Sequence, residues 1–340
     1  MAFANPDEAP VAHSTSANEN VPVIDLGGGQ NGPDETARIA AEISDACRHW
    51  GFFQVINHGL DPDHLAEVWR TVGAFFALPR AIKRNLERSS QNPWGYFDRE
   101  LTKNIRDKKE IFDIGPVVAA QAAANDPFSG VTPWPSELPA FEIALRRHFD
   151  ICTALSERLL AAISLGLGLP EDHLAAAFRP HHTSFLRLNY YPVEDPLSDL
   201  PADHRDGADL GVHHHSDSGA LTVLMQDQVG GLQVFKDGLW HNVKPVPGAF
   251  VINIGDMVQL WSNNRYRAAL HRVMAMDKVD RHSIPFFFNP SYQTVVEPLV
   301  DLNAGAQYRP VHWGEFRRKR ADGDFADTGK EVQIADYRLP

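Results

Sequence analysis

Hydrophobic positions change their period about halfway along the chain. In the first half they recur at helical spacing: Ile39, Ile43, Ala46, Cys47 and Trp50 predict a helix over 34–50, with Gly51 placed to end it. Asp61-Pro62 supplies an N-cap and a first-turn proline for a second helix. PRAIKRNLER predicts a short charged helix, EDHLAAAF another small one, and Phe141, Leu145, Phe149, Leu155, Leu159 and Ile163 a long one over 137–167. VPVIDL at 21–26 and FFQVINHG after Gly51 read as strands, and 91–126 reads as irregular. From Ser184 onward, short apolar runs alternate with Gly, Pro, Asn and Asp. They predict strands near 184–191, 211–216, 220–226, 231–235, 239–243, 249–254, 257–261, 269–276 and 283–288. Such a series implies a sandwich or jelly-roll barrel. A helix in HWGEFRRKRA and a loose tail follow.

The 340 residues allow a large core, and 43% hydrophobic with 22% charged residues is ordinary for a globular protein. Against 44 acidic residues stand 32 basic ones, a net charge of −12 that argues against nucleic acid or an anionic membrane as partner. The run Arg317, Arg318, Lys319, Arg320 reads as a solvated helix face. Cys47 and Cys152 sit in apolar helical contexts and read as buried free thiols. No apolar stretch approaches the roughly 18 residues of a membrane helix. The first 20 residues have neither the basic start nor the apolar run of a secretory signal. A cytoplasmic protein is the expectation, with a small-molecule substrate as its partner and an oligomeric state the sequence does not specify.

The chemistry concentrates in two stretches, GVHHHSDSGA and ALHRVMAMDKVDRHS. His215 and Asp217 are two apart, so on an extended strand end they point the same way. His271 is the best third ligand, and two histidines with one carboxylate are the ligand set of mononuclear non-haem Fe(II) oxygenases. His213 shares strand parity with His215 and competes with it on spacing alone. Arg281 and Ser283, again two apart, suit capture of a carboxylate. Asn189 and Tyr191 in LRLNYYP also share one face. His58, with no carboxylate partner nearby, reads as structural, and Asp256 in NIGD as a turn residue between strands. No acid, base or nucleophile is needed beyond the metal centre.

The order H-x-D, His, R-x-S resembles the 2-oxoglutarate- and Fe(II)-dependent dioxygenases of the isopenicillin N synthase-like superfamily. WGFFQVINHG, LTVLMQDQVGGLQV, NIGDMVQLWSNNRYRAALHRV and RHSIPFFFNP resemble that family's landmarks as well, and the likeness covers nearly all of the chain except its ends. It implies a mixed α and β fold, a distorted double-stranded β-helix (jelly roll) core with a helical N-terminal region packed against it and sharing its core. The divisions it implies are a flexible leader over 1–20, the mostly helical region over 21–180, the jelly roll over 181–295, and a C-terminal helix and tail over 296–340. His215 rather than His213 matches the family's ligand. Fe(II) would be bound by His215, Asp217 and His271, and 2-oxoglutarate by Arg281 and Ser283, with Tyr191 and Asn189 beside it. O2 would be the second cosubstrate and ascorbate an optional stimulant. The implied reaction oxidises, usually hydroxylates, a small organic substrate with release of succinate and CO2. The same fold also supports oxidases that do without 2-oxoglutarate, ethylene-forming enzymes and non-catalytic binding proteins. Phe97, Phe112, Phe286 and Phe288 are candidates for an apolar substrate face or for core.

Overall fold

The structure, a computed structural model, describes residues 6, 9–12, 20–27, 32–89, 91–102, 105–117, 130–198, 210–299, 305–321 and 332–340. An eight-stranded sheet is assembled from β1 (Val23–Asp25), β2 (Phe52–Ile56), β3 (Gly95–Phe97), β6 (Glu110–Ile114), β7 (Phe185–Tyr191), β9 (Leu221–Gln226), β12 (Phe250–Ile254) and β14 (Arg281–Phe288), in the order β1-β2-β12-β9-β14-β7-β6-β3. A four-stranded sheet of β8 (Leu210–His215), β10 (Leu232–Lys236), β11 (Leu239–Asn242) and β13 (His271–Met274) runs β11-β10-β13-β8. Two short pairs, β4 (Leu101–Thr102) with β5 (Ile105–Arg106) and β15 (Val295–Val296) with β16 (Val311–His312), stand apart. Among these named strands the pairings are antiparallel except β1 with β2.

The large sheet is covered on both faces, which is why its strands read as near-continuous apolar runs. Leu221, Val223 and Met225 of β9, and Ile284, Phe286 and Phe288 of β14, face one core with the helices α1 (Pro33–His49), α2 (Pro62–Phe76) and α4 (Phe141–Gly166). The alternate positions turn the other way. Leu224 and Tyr191 pack there with Val212, Leu232, Val234 and Val273 of the small sheet. This two-sheet sandwich is the jelly roll, and strand parity decides which side chains enter it.

The helices follow their sequence signals. Asp61 caps α2 by accepting from the Asp63 amide at 3.0 Å, and Gly51 after α1 adopts φ 65°. The charged segment forms α3 (Arg80–Arg84), and EDHLAAAF yields a 3-10 turn at Leu174–Phe178. His58 is structural: Nε2 donates to Gly248 O at 2.8 Å, while Nδ1 accepts from the Leu60 amide at 3.1 Å. Both cysteines are buried free thiols. No helix among the described residues is long and apolar enough to cross a membrane.

Four expectations need correction. The stretch 257–261 is not a strand but part of α5 (Asp256–Trp261), whose residues are all buried. A helix buried all round shows no polar period, and a short apolar run reads equally as strand. Within 91–126, β6 is a full member of the large sheet, fixed on β7 from Glu110↔Tyr190 to Ile114↔Leu186. Its Glu110 and Asp113, inside ion pairs, had the look of loop polarity. Of the leader, Val11 bridges Trp240 and the Trp240 indole donates to Pro6 O at 2.8 Å; most of the other residues before 20 lie outside the described residues. The tail is tied down, with the Leu339 amide on Gln307 O at 2.9 Å. The helix over Trp313–Ala321 is α6.

Candidate metal centre

His215 ends β8, Asp217 follows in the turn, and His271 opens β13. His271 and His215 are cross-strand partners, so register alone brings them together. One ligand atom from each of His215, Asp217 and His271 lies within 4.8 Å of the others. Asp217 Oδ1 stands 3.6 Å from both His215 Nε2 and His271 Nε2. Carbonyls fix the rings: His215 Nδ1 meets His213 O at 2.8 Å and His271 Nδ1 meets Ala269 O at 3.2 Å. A carbonyl can only accept, so each Nδ1 carries a proton, and Nε2 is the ring nitrogen that each histidine turns toward Asp217.

His213, the competitor on spacing, is elsewhere. It meets Asp107 Oδ1 at 3.1 Å through both its amide and Nδ1. The β8–β13 register slips between His271↔His215 and Val273↔Val212. This bulge breaks the parity between His213 and His215.

Asp217 is held from behind. Its Oδ2 accepts from the Thr222 hydroxyl and from Asn253 Nδ2, the latter at 2.7 Å, leaving Oδ1 to the centre. Burial works against its charge, but His271, His215 and the Thr222 hydroxyl outweigh it and keep the carboxyl well below the usual range. Burial, reinforced by His215, pushes His271 down to about 4 against the pull of Asp217, so the imidazole is neutral at neutral pH. Asp256 is no turn residue: from the start of α5 it accepts from Ser216 Oγ at 2.9 Å, while its amide donates to Asp217 O at 2.8 Å. A Cβ at Gly255 would lie 2.3 Å from Gly219 O, so only glycine lets α5 come this close.

The second cluster lies on β14 and β7. Arg281 opposes Tyr191 and Ser283 opposes Asn189, so the four sequence candidates form two cross-strand pairs. Arg281 is 1% exposed, with its Cζ 4.8 Å from the centre of the Tyr191 ring. Nη2 reaches Gln226 Oε1 at a long 3.5 Å, and Nε and Nη1 have no partner. Asn189 Nδ2 approaches Ser283 Oγ at 3.3 Å, while its Oδ1 is unsatisfied. The three metal-type side chains and these four residues line one chamber of about 80 Å³.

The donor set fits Fe(II): two imidazole nitrogens and a carboxylate oxygen. The unmatched guanidinium fits a carboxylate, because a buried charge without a counterion costs several kcal/mol. Sequence reasoning missed Thr222, Asn253 and Gln226. Their only signal was polarity at inward positions of apolar strands.

Phe112, Phe286 and Phe288 are core, on the helix side of the large sheet. Phe185 and Phe287, on the opposite face, turn toward the centre and stack with ring centres 4.6 Å apart, and Phe52 of β2 lies edge-on to His271 at 5.2 Å.

Family models agree with this geometry. Residues 182–290 match the 2OG-Fe(II) oxygenase superfamily, and 21–137 match the N-terminal region described as non-haem dioxygenase in morphine synthesis. The chain is 35% identical to jasmonate-induced oxygenase 2 of Arabidopsis thaliana over 88% of its length and 78% of that protein's. It is 34% identical to gibberellin 20 oxidase 1-B of Triticum aestivum over 86% of its length and 79% of that protein's. The crystal structure of JOX2 in complex with 2OG, Fe and JA superposes with a TM-score of 0.78 at 30% identity, covering 99% of this chain and 93% of that one.

Proposed function

The chain belongs to the 2OG-Fe(II) oxygenase superfamily and is a 2-oxoglutarate-dependent non-haem iron dioxygenase, and on that premise we propose what each residue of its site does. His215, Asp217 and His271 hold Fe(II). Arg281 and Ser283 take the distal carboxylate of 2-oxoglutarate, with Tyr191 beneath the guanidinium and Asn189 orienting Ser283. Iron and 2-oxoglutarate, when bound, supply the oxidising power: with O2 the cosubstrate becomes succinate and CO2, and one oxygen atom goes to a small organic substrate, as a hydroxyl in the simplest outcome.

The residues supply order. Thr222 and Asn253 fix the carboxylate that faces the metal, and the main-chain carbonyls of His213 and Ala269 fix the tautomers of the two imidazoles. Leu224, Leu232 and Val273 exclude water from the chamber. No side chain moves a proton from the substrate.

The observation that carries the reading is Arg281, a buried cation with two unpartnered donors, lining the same chamber as the three metal-type side chains. The test is iron content and succinate release from anaerobically iron-loaded protein given 2-oxoglutarate and air. The native protein is expected to hold iron stoichiometrically and release succinate slowly without any substrate, and Asp217→Ala to lose both. Stoichiometric iron in Asp217→Ala, or native protein that neither binds 2-oxoglutarate nor yields succinate, would overturn the assignment.

A further inference from the structure

The proposed ligands are not supported in the same way. Asp217 is held by the side chains of Thr222 and Asn253, and His271 by the carbonyl of Ala269. His215 leans on the carbonyl of His213, two residues back on its own strand, where the β8–β13 register slips. Bulged backbone leaves the ladder, so it needs another partner to stay in one place. β8 is also an outer strand of its sheet, with no strand beyond it among the described residues. The support comes from the other half of the chain.

Asp107, between β5 and β6, lies against the free edge of β8. The Lys108 amide donates to Leu210 O at 3.0 Å and the His213 amide to Asp107 Oδ1 at 3.1 Å, so this segment holds the strand from its open side. His213 Nδ1 reaches the same oxygen, also at 3.1 Å; a carboxylate can only accept, so that nitrogen carries a proton. Amide and ring together fix residue 213, and its carbonyl is left facing His215 Nδ1 at 2.8 Å. Asp107 has no room to swing. It is 0% exposed, and its Oδ2 accepts from Thr102 Oγ1 at 2.7 Å and pairs with Lys109 Nζ at 3.1 Å. Lys109 also pairs with Glu100 at 2.7 Å, and Thr102, Glu100 and Lys109 line a cavity of about 180 Å³ to which His215 and Asp217 contribute.

We propose that Asp107 is a positioning residue of the metal centre, which aims His215 by holding the His213 amide and ring. The assignment rests on the reading of His215 as an Fe(II) ligand. Of the two histidines that share spacing in the sequence, one is the ligand and the other is the handle by which the N-terminal half of the chain sets it. An imidazole can pivot about its Cβ, and the hydrogen bond at Nδ1 decides where Nε2 points. That bond is only as well placed as the carbonyl that accepts it.

The test uses the whole chain, stripped with a chelator and titrated with Co(II), an ion that takes the same nitrogen and oxygen donors and whose d–d absorption follows coordination geometry. Affinity is read by chelator competition and folding by the urea midpoint. Asp107→Ala is expected to bind Co(II) roughly 10–100-fold more weakly than the native protein, with shifted d–d bands. Asp107→Asn, which still offers an oxygen to both His213 donors, should recover most of the affinity. His213→Ala keeps the amide and loses the ring, so it should fall between Asp107→Ala and the native protein. His213→Asn, whose side-chain amide can donate in place of Nδ1, should restore it. A purely architectural Asp107 would lower the urea midpoint and leave the affinity and spectrum of the folded protein as they are; that result overturns the proposal. Where Asp107→Ala does not fold, the His213 variants decide, and native affinity and bands in His213→Ala overturn it. Native protein that binds no Co(II) removes the metal centre itself, whereas native binding that the variants leave intact removes the positioning role alone.

Discussion

Two guanidinium groups, Arg281 buried and Arg187 half-buried, occupy adjacent strands of one sheet and face the same interior, yet their surroundings differ. Arg187 on β7 is bidentate to Asp113, at 2.7 and 2.8 Å, and reaches Glu100 at 2.9 Å. Arg281 on β14 has one long contact to an amide and two donors with no partner. The carboxylates around Arg187 respond to it: burial alone would raise Glu100, but Arg187, Lys109 and Arg88 hold it well below the ordinary range. A cation whose charge the protein matches is wall. A cation the protein leaves unmatched, lining a chamber, is poised for an anion from outside.

The comparison breaks most clearly through paired substitutions. Arg187→Leu takes the bidentate partner from Asp113, leaving it Arg88 at 3.2 Å, and one of three cations from Glu100; it should cost about 1.5–3 kcal/mol of stability, measured by urea unfolding. Arg281→Leu removes an uncompensated charge and should leave unfolding nearly unchanged or shifted toward stability. Its 2-oxoglutarate affinity should instead fall by on the order of a hundredfold or more, read by titrating the anaerobic Fe(II) protein. If Arg281→Leu unfolds the protein while Arg187→Leu is silent, the distinction between wall and site is wrong.

A smaller effect sharpens it on the metal side. Thr222→Val and Asn253→Leu each remove one donor from Asp217 Oδ2, the oxygen turned away from the centre. Each should weaken iron binding by roughly 10–100-fold in chelator competition. Unchanged affinity would mean that Asp217 needs no orienting partner.

How much of this was legible follows from strand parity. H-x-D and R-x-S put their members on one face by spacing alone, and the β14–β7 register then set Arg281 and Ser283 opposite Tyr191 and Asn189. What spacing cannot give is which face is inward. Phe286 and Phe288 looked like pocket lining, but they share parity with Ile284 on the helix side, whereas Phe287 turns to the centre. Nor does spacing reveal a bulge, and the one in β8 separates His213 from His215. The basic run on α6 read as solvated because two of its four residues are; the other two point inward, and only the packing of α6 on the H-x-D turn shows it. Burial on every side hid α5, and charge hid β6.

A third kind of unmatched group completes the comparison. His64 on α2 and His148 on α4 are buried with ring centres 5.7 Å apart. Neither His64 nitrogen makes a hydrogen bond, although Glu67 Oε2 lies 3.9 Å from Nδ1; His148 Nε2 lies 3.5 Å from Cys152 Sγ, and its Nδ1 makes none. Unlike Arg281 these rings are neutral, so their isolation is tolerable until acid charges them. Burial, with repulsion from His64, pushes His148 from 6.5 down to about 3. The unfolded chain thus takes up a proton near pH 6.5 that the folded chain refuses until about pH 3. Stability conferred by the neutral ring is present above 6.5 and declines as pH falls through that window. The loss is about 1 kcal/mol at pH 6 and grows by at most about 1.4 kcal/mol for each further unit. His148→Leu should therefore flatten the fall in unfolding free energy between neutral pH and pH 4 by about one proton's slope. An unchanged slope would place the acid sensitivity elsewhere. A buried polar group without a partner is thus a binding site only where it faces space, as Arg281 does; packed between helices, it is a liability to acid.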